Sequence, residues 1–163
     1  MSIDLKQLFE NVGEKKELDY ALDLTDYELF GTHPFFAPVT VKGEIQNRAG
    51  IVTLTMTVLV NLRVNCDRCL EEFERKYEYS FEHVLVNKLN TDNDEYIVVE
   101  QYQLDLDDLV LSDILLNLPS KLLCSEDCKG LCSKCGQNLN KGSCDCQDKF
   151  VDPRFAVLGE LLK

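Results

Sequence analysis

Ile51-Val52-Thr53-Leu54-Thr55-Met56-Thr57-Val58-Leu59-Val60 sets Thr53, Thr55 and Thr57 between apolar neighbours. A period of two combined with many β-branched residues predicts a half-buried antiparallel strand. Just upstream, Val39-Thr40-Val41-Lys42-Gly43-Glu44-Ile45 has the same character and is separated from the run by turn residues at 47–50. Downstream, Tyr77, Tyr79, Phe81 and residues 84–86 supply a partner strand. Residues 36–87 therefore read as β-rich, and the pair Cys66-Asp67-Arg68-Cys69 falls between two strands at a hairpin end.

The flanks are mixed. Ile3-Asp4-Leu5-Lys6-Gln7-Leu8-Phe9 spaces its apolar residues as a helix does, with Gly13 as a stop. Leu18-Asp19-Tyr20-Ala21-Leu22-Asp23-Leu24 alternates as a strand does, and Tyr96-Ile97-Val98-Val99 is a further short strand after a loop at 90–94. From Asp105 to Leu118 apolar residues recur every three or four positions, with acids in the first turn where they complement the helix dipole. Pro119 ends that helix. A terminal helix is expected at 152–162, with Asp152 as its cap and Pro153 in its first turn. The expected fold is α+β: an antiparallel β-sheet or partly closed barrel with flanking helices and a C-terminal cysteine-rich zinc knuckle. Residues 1–120 are expected to form an α+β body with an antiparallel sheet and an acidic helix. Residues 121–163 are expected to form a cysteine-rich, metal-binding tail with a terminal helix.

With 163 residues and 18.6 kDa, the chain is one domain, or one domain with a small appendage, and is long enough to bury a core. Apolar residues make up 45% of it, yet no stretch reaches eighteen in a row, which argues against a membrane-spanning helix. The N-terminus lacks a basic region followed by an apolar run, so a cytoplasmic location is expected. The net charge is −12 and is unevenly spread. Residues 89–120 contain eight acids and no Lys or Arg, whereas residues 121–163 hold seven basic and six acidic side chains. Nucleic-acid affinity comes largely from neutralising phosphates with Lys and Arg. The body therefore suits a basic protein partner, and any RNA contact is expected at the C-terminal end. No small-molecule substrate is implied.

Eight cysteines in a chain of cytosolic type point to metal or redox chemistry rather than to disulfides. Six of them form Cys124-x3-Cys128-x3-Cys132-x2-Cys135-x8-Cys144-x-Cys146. Cys132-Ser133-Lys134-Cys135-Gly136 has the form of a zinc knuckle: two intervening residues let both sulfurs reach one tetrahedral ion, and Gly136 permits a positive φ. The second pair is Cys144 with Cys146, one of these with Cys128, or the distant Cys66 and Cys69. The favoured metal set is Cys132, Cys135, Cys144 and Cys146, with Cys66, Cys69, Cys124 and Cys128 as possible further ligands. Four thiolates with no open position describe structural zinc, and such sites yield roughly 10–16 kcal/mol in model peptides, enough to order a short loop. A redox role competes for Cys66 and Cys69, because Arg68 could depress a thiol pKa, but the thioredoxin-like βαβ context is missing. An iron–sulfur cluster is a minor alternative, since the spacing matches neither ferredoxin run. His33 and His83 sit in no nucleophile motif, no phosphate-binding glycine loop is present, and Asp105, Asp107 and Asp108 lack the rest of an EF-hand. Nothing here implies an enzyme.

Several ordered motifs resemble those of one family. They are Cys66-Asp67-Arg68-Cys69-Leu70, Leu116-Asn117-Leu118-Pro119, Asp127-Cys128-Lys129-Gly130-Leu131-Cys132-Ser133-Lys134-Cys135-Gly136-Gln137-Asn138-Leu139-Asn140, and Asp152-Pro153-Arg154-Phe155-Ala156-Val157-Leu158. Across residues 35–160 the chain is similar to the YceD family, the large ribosomal RNA subunit accumulation proteins of bacteria and plastids. The resemblance implies a non-enzymatic factor in large ribosomal subunit biogenesis. Its implied partner is a large-subunit ribosomal protein or pre-ribosomal RNA, with metal as a stabiliser of the tail. Arg68, Lys129 and Arg154 are then the candidate partner contacts. The rival expectation is a thiol-based redox or metal-sensing protein that uses Cys66 and Cys69.

Overall fold

A computed structural model describes residues 1–29, 31–88 and 96–146. Its centre is a five-stranded sheet in the order β2 (Lys15–Leu22), β3 (Val39–Arg48), β4 (Ile51–Asn65), β5 (Glu72–Val86) and β6 (Tyr96–Val98). The first four strands are antiparallel to their neighbours, while β6 runs parallel to β5. The sheet is curled into a half-barrel, as the sequence reading anticipated. β1 (Ser2–Asp4) and β7 (Gln103–Asp105) form a separate two-stranded ribbon, and the helices are α1 (Lys6–Glu10) and α2 (Leu106–Asn117).

The alternation in β4 does what its sequence demands. Val52, Leu54, Met56, Val58, Val60 and Leu62 are all buried, and the threonines face the other way. Val39, Val41 and Ile45 of β3 join them, with Leu106, Val110 and Ile114 closing the core from α2. Each such side chain contributes about 1.5–3 kcal/mol through burial. Gly43 lies opposite Met56, and a Cβ there would stand 2.2 Å from the Thr55 carbonyl oxygen. Only glycine permits so close an approach, which a curling sheet needs.

Two buried polar side chains fix the flanks. Asn47 donates from Nδ2 to the Leu8 carbonyl at 2.7 Å and accepts from the Gly50 N–H at 3.0 Å, tying α1 to the β3–β4 turn. Asp113 of α2 meets His83 of β5 at 2.8 Å, so this histidine is part of the packing between helix and sheet.

At the N-terminus the structure departs from the sequence reading. A helix was expected from Ile3, but residues 2–4 are β1, and the helix begins at Lys6. Ile3 pairs with Leu104 and is buried, and this tertiary ladder overrides the local helical spacing. β2 is also shifted, ending at Leu22 where Asp23 accepts from the Thr25 N–H and hydroxyl and turns the chain. α2 lies where the sequence placed it, with Asp105 as N-cap. The expected loop at 90–94 and the terminal helix at 152–162 lie outside the described residues.

Candidate metal centres

The long β4–β5 hairpin ends in residues 66–71, folded tightly by Cys66 N–H to Glu71 O and Leu70 N–H to Cys66 O, both 2.9 Å. This turn aims Cys66 and Cys69 at the same point. The chain after α2 docks onto it: Asp67 N–H donates to Leu122 O at 2.9 Å, and Leu122 N–H donates to the Asp67 carboxylate at 2.6 Å. Arg68 donates to the carbonyls of Glu126 and Cys128 at 3.1 and 2.9 Å. Its own carbonyl accepts from Leu131 N–H at 3.1 Å. Gly130, at φ +73°, passes so near that a Cβ would lie 3.0 Å from Arg68 O. This docking brings Cys124 and Cys128 to Cys69 and Cys66, with Sγ–Sγ distances of 3.7 Å in each pair. All four sulfurs lie within 4.8 Å of one another.

A second quartet follows directly. Gly136 N–H donates to Cys132 O at 2.9 Å, repeating the bond between Leu70 and Cys66, and Gly136 adopts φ +74°. Cys132 N–H bonds Gln137 O at 2.8 Å, closing a small turn that presents Cys132 and Cys135. Cys144 and Cys146 return to complete a group whose sulfurs again lie within 4.8 Å of one another. The two quartets differ in depth. Cys66, Cys69 and Cys128 are at most 4% exposed and pack with Phe73, Leu123 and Leu131, whereas Cys135 is exposed and its three mates are half-buried.

The electrostatics follow from this crowding. Burial works against a Cys66 thiolate, but the N–H groups of Cys124, Arg68 and Cys69 prevail and bring the thiol down to about 6. Cys132 is lowered to about 6 by the N–H groups of Cys135 and Lys134. In compensation Cys146 is pushed up to about 12, chiefly by its hydrogen bond with the Cys135 thiol. Cys69 is also raised to about 12: the Glu71 N–H favours its thiolate, but burial and the neighbouring thiols outweigh it. Four sulfurs this close cannot all ionise unless a cation sits among them. Thiolates about 2.3 Å from one tetrahedral ion would be separated by about 3.8 Å, and the 3.7 Å contacts of the inner quartet match that edge. Both groups are therefore able to hold a metal ion.

The structure brings the sequence-predicted cysteines together as two sets of four: Cys132, Cys135, Cys144 and Cys146 in one, Cys66, Cys69, Cys124 and Cys128 in the other. Arg68, expected to face a partner, has its guanidinium bonded to tail carbonyls. Lys129 is exposed, and Arg154 lies outside the described residues. Sequence reasoning gave no role to Asn140, whose Nδ2 donates to Cys128 Sγ at 3.2 Å while its Oδ1 accepts from Lys129 N–H at 2.8 Å. It also passed over Arg75, which donates to Cys124 O at 3.2 Å. Bonds of this kind orient ligands and tune their basicity, and no local pattern announces them.

Comparison with known proteins places these features in context. The family model described as "Large ribosomal RNA subunit accumulation protein YceD" matches residues 54–162, a span that includes all eight cysteines. The chain is 27% identical to the uncharacterized protein YlbN of Bacillus subtilis (strain 168) over 167 residues, covering 100% of this chain and 97% of the relative. It is 36% identical over 62 residues to the large ribosomal RNA subunit accumulation protein YCED homolog 1, chloroplastic, of Arabidopsis thaliana. That match covers 38% of this chain and 19% of the plant protein. An uncharacterized protein of Mycobacterium tuberculosis (strain ATCC 25618 / H37Rv) is 28% identical over 116 residues, covering 68% of this chain and 56% of the relative. No solved structure matches.

Proposed function

Since the chain belongs to the YceD family, we propose that it is a non-enzymatic factor that supports accumulation of large-subunit ribosomal RNA. It would work in the cytoplasm, through a basic ribosomal protein or pre-ribosomal RNA. The observation that carries this reading is the family match over residues 54–162, which takes in the hairpin tip, α2 and both quartets. In this reading residues 1–120 are the body, residues 121–163 are an appendage, and zinc is the resident ion of both quartets. Each centre offers four cysteine sulfurs, enough to fill the coordination of a tetrahedral ion, which supports a structural role. A cell lacking the protein should show a lowered ratio of mature large- to small-subunit ribosomal RNA, restored by the intact gene. An unchanged ratio would overturn the proposal.

The second reading, a redox or metal-sensing protein built on Cys66 and Cys69, finds less support. A thiol that exchanges with other disulfides must be reached by them, whereas both of these are buried against Cys124 and Cys128. Metal analysis separates the two readings: two zinc ions per chain with eight protected thiols supports the first, and a metal-free, reversibly oxidised Cys66–Cys69 pair supports the second.

A further inference from the structure

β5 is covered unequally by its neighbours. β4 pairs with it from Glu72 to Leu85, whereas β6 reaches only residues 84–86. Between Glu72 and His83, no described strand or backbone hydrogen bond occupies the edge facing away from β4. At about 3.3 Å per residue this open edge runs for roughly 40 Å. A free edge of such length is a template for a further strand, and proteins ordinarily shorten or cover it. Two contacts reach this stretch, Asp113 on His83 at one end and Cys124 O on Arg75 within its first four residues.

The two faces along this edge differ chemically. Glu72, Glu74, Glu78 and Glu82 stand exposed on the outer face, with Lys76 the one cation among them, and Glu74 is paired with Arg63. On the inner face Tyr77, Tyr79 and Phe81 form a stacked row with ring centroids 5.9 Å apart. These rings are half-buried, although their β4 neighbours Val60, Val58 and Met56 are sealed in the core. The hydroxyls of Tyr77 and Tyr79 have no hydrogen-bond partner among the described residues. Both hydroxyls are themselves buried, and the row packs against the core, with no described strand beside it on the side away from β4.

These features select the occupant. A second copy of β5 would set glutamates against glutamates, and like charges opposed across strands are destabilising. A strand with Lys or Arg at every second position would instead face the glutamates, and its intervening apolar residues would cover the aromatic row. We propose that the free edge of β5 between Glu72 and His83 docks an extended segment of a basic protein, alternating basic and apolar, which adds as a further strand of the sheet. The proposal rests on the preceding functional reading only in placing that segment on a large-subunit ribosomal protein.

The test uses the full chain and a fluorescent peptide of alternating lysine and valine. Anisotropy should report binding, and N-methylation of alternate peptide nitrogens, which keeps charge but removes edge hydrogen bonds, should weaken it at least tenfold. Glu78→Lys with Glu82→Lys should weaken it similarly, and peptide binding should slow amide exchange in residues 73–83. Equal binding of the methylated peptide, slowed exchange elsewhere alone, or self-association of the chain through this edge overturns the proposal. In cells, recovery of large-subunit precursors by the wild type and not by the double variant supports it. Equal recovery by both overturns the edge and leaves the family reading standing. An unaltered ribosomal RNA ratio on gene loss overturns that reading and leaves the peptide result intact.

Discussion

Leu70 and Gly136 occupy the same place in two similar turns, each donating its N–H to the carbonyl of the first cysteine at 2.9 Å. Both have positive φ, +59° and +74°, but only one is glycine. A left-handed leucine costs about 1–2 kcal/mol, and Leu70 is 66% exposed, so little packing offsets the strain. Leu70→Gly should therefore raise stability by about 1 kcal/mol after the extra freedom of the unfolded chain is counted, read as a higher urea midpoint with unchanged metal content. Asn47 gives the opposite case. Asn47→Ala strands the Leu8 carbonyl and the Gly50 N–H and should cost about 1–3 kcal/mol, measured by the same unfolding curve. Gly136 was legible in the sequence because glycine after Cys-x-x-Cys marks the turn. Leu70 carried no such mark, and Asn47 looked like any turn asparagine because its partner lies thirty-nine positions away.

At the scale of elements, the strands were legible wherever one face is buried. β4 alternates strictly because its inner side meets the core and its outer side does not. β1 was not legible: three residues carry too little pattern, and their strand character comes from the ladder with β7. Gly43 shows how one position shapes two strands. Gly43→Val would drive a side chain into the Thr55 carbonyl and Met56, costing about 3 kcal/mol by overpacking, with a matching fall in the urea midpoint. The start of α2 should respond to acid. Burial opposes the Asp105 carboxylate, but the N–H groups of Asp108 and Asp107 and the amino group of Met1 overcome it and hold the carboxyl below the usual range. A lowered folded pKa means that the stabilisation is present above the ordinary carboxylate value and is lost as pH falls through the lower one. Asp105→Ala should accordingly flatten the acid limb of a stability–pH profile.

For the whole molecule, the sequence favoured Cys132, Cys135, Cys144 and Cys146 as one metal set but left Cys66, Cys69, Cys124 and Cys128 only as possible further ligands, without marking them as a second set. Spacing along the chain ties Cys66 to Cys69 and Cys132 to Cys135, whereas the choice of partners depends on the tail folding back on the hairpin through Arg68, Asp67 and Leu122. The core of the half-barrel is separate from the small cluster around Cys66, Cys69 and Cys128. A strong chelator should therefore abolish amide protection in residues 121–146 while the far-ultraviolet signal of the sheet persists. Metal should leave in two phases, first from the exposed quartet and then from the buried one. Simultaneous loss of metal and sheet would contradict this order. The buried quartet also joins thiols 62 and 55 positions apart. During translation the hairpin tip must leave the exit tunnel well before its mates, holding an unfinished pair of thiols while the intervening elements are made. Any ion held by this quartet could be enclosed only once Cys128 has emerged, so a chain halted before that point has no means of closing its clasp.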